Sequence, residues 1–172
     1  MRGALWVTVA ACVLAGCADT HVVHRVVETQ QKLSAAASAY VSVPADGRYG
    51  KTIYEGSGRM TSTIVAGAFM RHLARVESAD RLQSPEEAIA AARRAGATYL
   101  VTPDIVHWED RATEWSAKPD RAEVRIRVVD TASERVIASG IVSGRSGLAT
   151  LGGDHPQDLL PQPTAEYVAS LF

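Results

Sequence analysis

Apolar residues recur along most of this chain with a spacing that switches between two and about 3.6, and each switch marks a change between strand and helix. The clearest alternation is Arg121 to Asp130, where Ala122, Val124, Ile126 and Val128 share one face and Glu123, Arg125 and Arg127 the other. It predicts a strand with one buried and one polar side. Val136 to Val142 follows a turn at Thr131 to Glu134 and predicts its hairpin partner. Upstream, Tyr40, Val41 and Val43 predict a strand over Ala39 to Val43 that Pro44 ends. After a glycine-rich loop from Asp46 to Gly58, Ile64, Val65, Ala68, Phe69, Leu73 and Val76 recur at helical spacing, which predicts a helix from Thr61 to Arg75. A short strand is expected from Val76. Ser84-Pro85-Glu86-Glu87 is a capping box with proline at the first helical position, and its helix runs to Ala95 before Gly96 stops it. Thr98 to Val106 is rich enough in Tyr99, Leu100, Val101 and Ile105 for a central strand, although Pro103 favours an edge or a bulge. A last apolar helix holds Leu159, Leu160, Tyr167, Val168, Leu171 and Phe172, started or interrupted by Pro161 and Pro163. The order β-α-β-α-β-β-β-α, two crossovers and then a hairpin, predicts a single-domain α/β sandwich with a mixed β-sheet packed by helices.

The front of the chain has another pattern. Arg2 precedes a mostly apolar run from Ala4 to Leu14, the charged and hydrophobic parts of a secretory signal. The run is too short for a permanent span. Leu14-Ala15-Gly16-Cys17 resembles the lipobox of bacterial lipoproteins. That resemblance implies cleavage before Cys17 and attachment of a diacylglycerol to its sulfur, in an anchor of two or more acyl chains, palmitate among them. The expected organisation is a signal peptide over 1–16, a lipidated N-terminus and tether over 17–38, and one α/β domain over 39–172. Val22, Val23, Val26 and Val27 within the tether have the composition of a short strand or helix against the domain. Ala18 after the cysteine points to outer-membrane sorting facing the periplasm, because lipoproteins kept at the inner membrane of enteric bacteria carry aspartate there. Here Asp19 comes one place later.

Loss of residues 1–16 leaves 156 residues, enough for one domain with a full core. The remaining 17 basic and 19 acidic side chains form no nucleic-acid-binding footprint. With Cys12 in the signal and Cys17 lipidated, no cysteine is left for a disulfide, so stability must come from the core. No second apolar run approaches 18 residues, and membrane attachment rests on lipid alone.

Few motifs carry chemistry. Ala45-Asp46-Gly47-Arg48-Tyr49-Gly50-Lys51-Thr52 fits a loose phosphate-binding loop, but Ala45 replaces the first glycine, and Ile53, Tyr54, Gly56 and Gly58 contradict a helix at Lys51. Gly56-Ser57-Gly58 lacks the spacing of a nucleophile elbow. His107, Glu109, Asp110, Glu114, Asp154, His155 and Asp158 are ligand types for zinc at no specific spacing, and Asp154 or His155 before Pro156 reads equally as a helix cap. No cofactor is implied. The loop from His107 to Asp120 is richer, since two tryptophans sit among charges of both signs, and tryptophan and arginine dominate binding interfaces. Trp108, Glu109, Asp110, Arg111, Glu114 and Trp115, with Asp154 and His155, are therefore the partner-binding candidates. Against this, Trp108 at a strand end is also a natural core cap, and the charges could form a salt-bridged surface of small energetic weight.

His107-Trp108-Glu109-Asp110-Arg111-Ala112-Thr113-Glu114-Trp115, Lys118-Pro119-Asp120-Arg121 and Gly152-Gly153-Asp154-His155-Pro156-Gln157-Asp158-Leu159-Leu160-Pro161 together resemble the DUF4823 family of uncharacterised proteobacterial lipoproteins. The resemblance covers about Ala39 to Phe172. It implies architecture and address, and it carries no catalytic residues. The element order is also similar to the small α/β domain at the N-terminus of the TolB translocation protein and in lipoproteins that activate peptidoglycan synthases or assemble secretion pores. Such domains typically dock onto other envelope proteins. The expected function is therefore non-enzymatic: a lipid-anchored envelope lipoprotein whose domain binds a protein partner. The rival expectations are a metal-dependent hydrolase using His107, Glu109, Asp154 and His155, and a ligand or glycan cleft lined by Trp115 and Tyr54. Cys17→Ser is expected to leave the precursor unlipidated and to move it out of its normal membrane fraction, which fractionation and metabolic lipid labelling read directly.

Overall fold

The computed structural model describes residues 19–29, 31–110, 119–147 and 155–172. In chain order the strands and helices are β1 (Thr20–Val27), β2 (Ser38–Val43), β3 (Arg48–Tyr49), β4 (Thr52–Ile53), α1 (Ser57–Phe69) and β5 (Arg75–Leu82). They continue as α2 (Pro85–Arg94), β6 (Tyr99–Glu109), β7 (Arg121–Asp130), β8 (Val136–Arg145), a 3-10 turn (Pro156–Leu159) and α3 (Pro161–Ala169). Six strands form one mixed sheet in the order β1-β8-β7-β6-β2-β5, with β3 and β4 a separate small hairpin. β2 runs parallel to both β5 and β6, while β6, β7, β8 and β1 pair antiparallel.

The alternation of β7 sets the two faces. Ala122, Val124, Ile126 and Val128 are fully buried on the side that α1 and α3 cover, where Val65, Phe69, Val101, Val142, Tyr167 and Val168 complete one continuous core. Each such buried aliphatic side chain contributes roughly 1.5–3 kcal/mol. The opposite side is covered by α2, whose Ala88, Ala91 and Ala92 lie on Tyr40, Val43, Ala79 and Leu100. Alanine on this helix lets its backbone come close to the sheet. The capping box forms as the spacing predicts: the Glu87 N–H donates to Ser84 Oγ at 3.2 Å, and the Ser84 N–H donates to Glu87 Oε2 at 3.0 Å. Gly96, at φ 65°, then turns the chain in the left-handed region.

Several boundaries differ from the sequence expectation. Much of the stretch expected as tether is strand β1, whose register with β8 runs from Thr20 opposite Arg145 to Val27 opposite Ser139. Val22, Val23, Val26 and Val27 supply the strand composition, as the sequence allowed, and pairing with a strand more than a hundred residues away decides where it lies. The first helix begins at Ser57 and ends at Phe69, because Leu73 and the residues before it belong to a turn leading into β5. The glycine-rich loop contains the β3–β4 hairpin, turned at Gly50 with φ 58°. Pro103 sits within the central strand β6, beyond the last β2 pair at Val101, so the ladder to β2 asks no donor of it.

Two glycines of β8 admit close packing. A Cβ added at Gly140 would come within 2.3 Å of Tyr167 Cε2, and one at Gly144 within 2.5 Å of the Leu159 carbonyl oxygen. Gly140→Ala is expected to destabilise the protein by about 1–3 kcal/mol through overpacking. Gly67, exposed within α1 with nothing within 4 Å of an added Cβ, makes the contrasting case. Gly67→Ala is expected to stabilise by up to about 1 kcal/mol, and thermal and denaturant unfolding of the two variants give the comparison.

Candidate functional site

Among the described candidates, Trp108, Glu109, Asp110 and His155 lie at the carboxyl end of β6. Trp108 turns its ring to the core, is 1% exposed, and holds the following residues in place from beneath. Gly47 lies against it: a Cβ there would approach Trp108 Cβ to 2.5 Å. The Gly47 N–H donates to Ser57 Oγ at 2.7 Å, the Ser57 hydroxyl donates to the Tyr54 carbonyl at 2.6 Å, and the Tyr54 N–H donates to the Gly47 carbonyl at 2.9 Å. Asp46 Oδ1 accepts the Gly58 N–H at 2.8 Å at the start of α1. The segment that fits a loose phosphate-binding pattern is thus a self-bonded hairpin, and the α1 terminus is already answered by a carboxylate of its own chain.

This frame positions Asp110. The Tyr54 hydroxyl donates to the Asp110 carbonyl at 3.1 Å, and Asp110 Oδ2 lies 3.5 Å from Nδ1 of His155. His155 precedes the 3-10 turn, where its N–H donates to Asp158 Oδ2 at 3.2 Å. The pair links the two sequence motifs that flank the sheet end. A second pair lies on the other side of β6, since strand alternation sets His107 and Glu109 opposite Trp108. His107 Nε2 is 3.2 Å from Glu109 Oε2, and Tyr49 meets the imidazole edge-on with ring centroids 5.7 Å apart. Burial holds the His107 imidazole below its ordinary range, helped by Arg121 and opposed by Glu123. The neutral ring can still donate its Nε2 proton to Glu109.

The structure therefore sorts the candidates. Trp108, 1% exposed, faces the core and supports a surface from beneath, whereas Glu109, 8% exposed, lies on the opposite face of β6, covered where it meets His107. Asp110 and His155 come together. Arg111, Glu114, Trp115, Asp154 and the lipidation candidate Cys17 lie outside the described residues. Among the described residues, no three His, Cys, Asp or Glu side chains group as metal ligands would. The residues missed by sequence reasoning are Tyr49, Ile53 and Val106, which are 44%, 52% and 45% exposed around this same end. The β-formers on either side of Gly50-Lys51 carried the signal of a hairpin presenting Tyr49 and Ile53.

Residues 31–171 match the family model described as "Domain of unknown function (DUF4823)". No curated protein matches the chain. Among solved structures it is similar to the PelC dodecamer from Paraburkholderia phytofirmans, at 16% identity and a TM-score of 0.69 over 88% of this chain and 97% of that one. A Xanthomonas campestris protein of the family described as DUF330 aligns at 17% identity and a TM-score of 0.54, covering 86% and 91%. Lipoprotein GNA1162 from Neisseria meningitidis aligns at 13% identity and a TM-score of 0.53, covering 78% and 99%. At these identities the likeness is one of fold, which one of these proteins, GNA1162, carries as a lipoprotein.

The shifted His107 has a signed consequence for stability. The unfolded chain, with His107 titrating near ~6.5, takes up a proton more readily than the folded one. The contribution of this residue is present above about pH 6.5 and is lost as pH falls through the lower folded value. The wild-type Tm is expected to drop more steeply between about pH 7.5 and pH 5 than that of His107→Asn, and equal slopes would show that the fold does not hold the ring neutral.

Proposed function

The chain belongs to the DUF4823 family, and from that premise we propose that it is a lipid-anchored protein of the bacterial envelope that acts by docking onto another envelope protein. The observation that carries this reading is the end of β6, where the β3–β4 hairpin presents exposed Tyr49 and Ile53, Tyr49 meets His107 edge-on, and the adjoining Tyr54 hydroxyl bonds the backbone of Asp110, the partner of His155. Exposed aromatic and aliphatic side chains beside polar groups, on a backbone held rigid by a buried tryptophan, have the composition of a binding surface. The loop carrying Trp115 continues from Asp110 and belongs to the same proposal.

Lipidation at Cys17, release of residues 1–16 and placement at the outer membrane facing the periplasm are parts of this reading. β1 starts at Thr20, three residues beyond Cys17. Fully extended, three residues reach only about 10 Å. An anchor at Cys17 would therefore hold the β1 edge of the sheet close to the bilayer, with little free tether. The shared fold with lipoprotein GNA1162 supports the envelope address.

A photocrosslinking residue in place of Tyr49, used in living cells and followed by mass spectrometry, tests the docking surface. The expected result is one recurrent envelope protein, lost when Ile53→Asp is added and recovered when the crosslinker is placed on that partner. Capture of this chain alone would replace the reading with self-assembly, as in the PelC dodecamer. Capture of nothing would remove this surface from the proposal.

A further inference from the structure

α2 covers only the β5-β2-β6 half of the outer sheet face, and its free flank walls a groove of about 380 Å³. Val43, Ala88 and Leu100 form its buried floor, with Ile89, Val129 and the exposed Val136 along its sides. The groove opens at the carboxyl ends of β2 and β5. From β2 the chain leaves for α1 on one face of the sheet, and from β5 for α2 on the other. Such points, where connections part to opposite faces, are where open α/β sheets bind ligands. The volume falls in the range of small-molecule sites, about 300–1,000 Å³.

The polar groups at the groove select an acceptor. The Tyr40 hydroxyl donates to Gln83 Oε1 at 3.3 Å, which orients that amide and leaves its Nε2 hydrogens to donate elsewhere. The Thr102 hydroxyl and the Arg127 guanidinium also line the space. Two of the three acidic groups at the rim are ion-paired, Asp104 with Arg125 at 3.7 Å and Glu134 with Arg93 at 2.8 Å, while Glu86 accepts the Ser84 hydroxyl at 2.9 Å in the first turn of α2. Arg127 has no ion-pair partner among the described residues. A groove with an apolar floor, free donors and one unmatched cation is complementary to a molecule with an apolar body and a single anionic head.

We propose that this groove binds a small amphipathic carboxylate, its apolar body on Val43, Leu100 and Val129 and its carboxylate on Arg127. The site lies apart from the β6 end and stands whether or not that end docks a protein. Binding is tested by calorimetric titration of phenylbutyrate into the full chain carrying Cys17→Ser, kept free of detergent that would compete for the groove. Saturable binding is expected, weakened about tenfold or more in Arg127→Gln through loss of a charge-assisted hydrogen bond. Arg127→Lys is expected to recover part of it, Arg145→Gln, at the far end of β8 and outside the groove lining, to leave it intact, and Val136→Glu at the mouth to abolish it. Arg127 and Val136 are exposed, so these variants are expected to keep the wild-type unfolding midpoint. The proposal is overturned by the absence of saturable binding, or by equal affinity in wild type, Arg127→Gln and Val136→Glu. It is also overturned if acid-free sedimentation shows self-association that Val136→Glu abolishes, which would make a second copy the occupant.

Discussion

Burial of one whole face of the six-stranded sheet under α1 and α3 is the interaction on which the rest of the molecule depends. That face takes apolar residues from every inner strand and from both helices, and its core reaches from Leu33 to Leu171. No cysteine lies among the described residues, so this continuous apolar layer has to outweigh the entropy of ordering them. The demand explains the glycines of β8: Tyr167 and Leu159 pack hard against the strand only where no side chain intervenes.

The other face is governed by what the first leaves over. α2 is a ten-residue helix with an alanine-rich contact surface, and it can cover only three strands. The outward side of β7 keeps Arg121, Glu123, Arg125 and Arg127 because no helix among the described residues covers it. The groove beside α2 is the step between the covered and the open half, and its mixture of apolar floor and charged rim follows from that position.

At the far end of β6 the core and the surface are mechanically joined. Trp108 belongs to the buried layer, yet the residues on either side of it carry the His107–Glu109 and Asp110–His155 pairs. Such exposed or partly exposed pairs contribute little to stability, so their geometry is inherited from the strand and from the Gly47–Tyr54–Ser57 bonds beneath. A similar fold in proteins only 13% to 17% identical shows that this scaffold tolerates wide change in sequence.

The alternation of β7, the hairpin to β8, the capping box at Ser84 and the stop at Gly96 were all legible in the chain, because each rests on contacts among residues a few places apart. So were the order of elements, the α/β class and the family resemblance. The place of β1 at the sheet edge, the meeting of Asp110 with His155 and the groove at Arg127 were decided by the tertiary structure alone. Each joins elements remote in sequence, and spacing along a chain records which face a residue shares but not which distant strand or loop will come to rest against it.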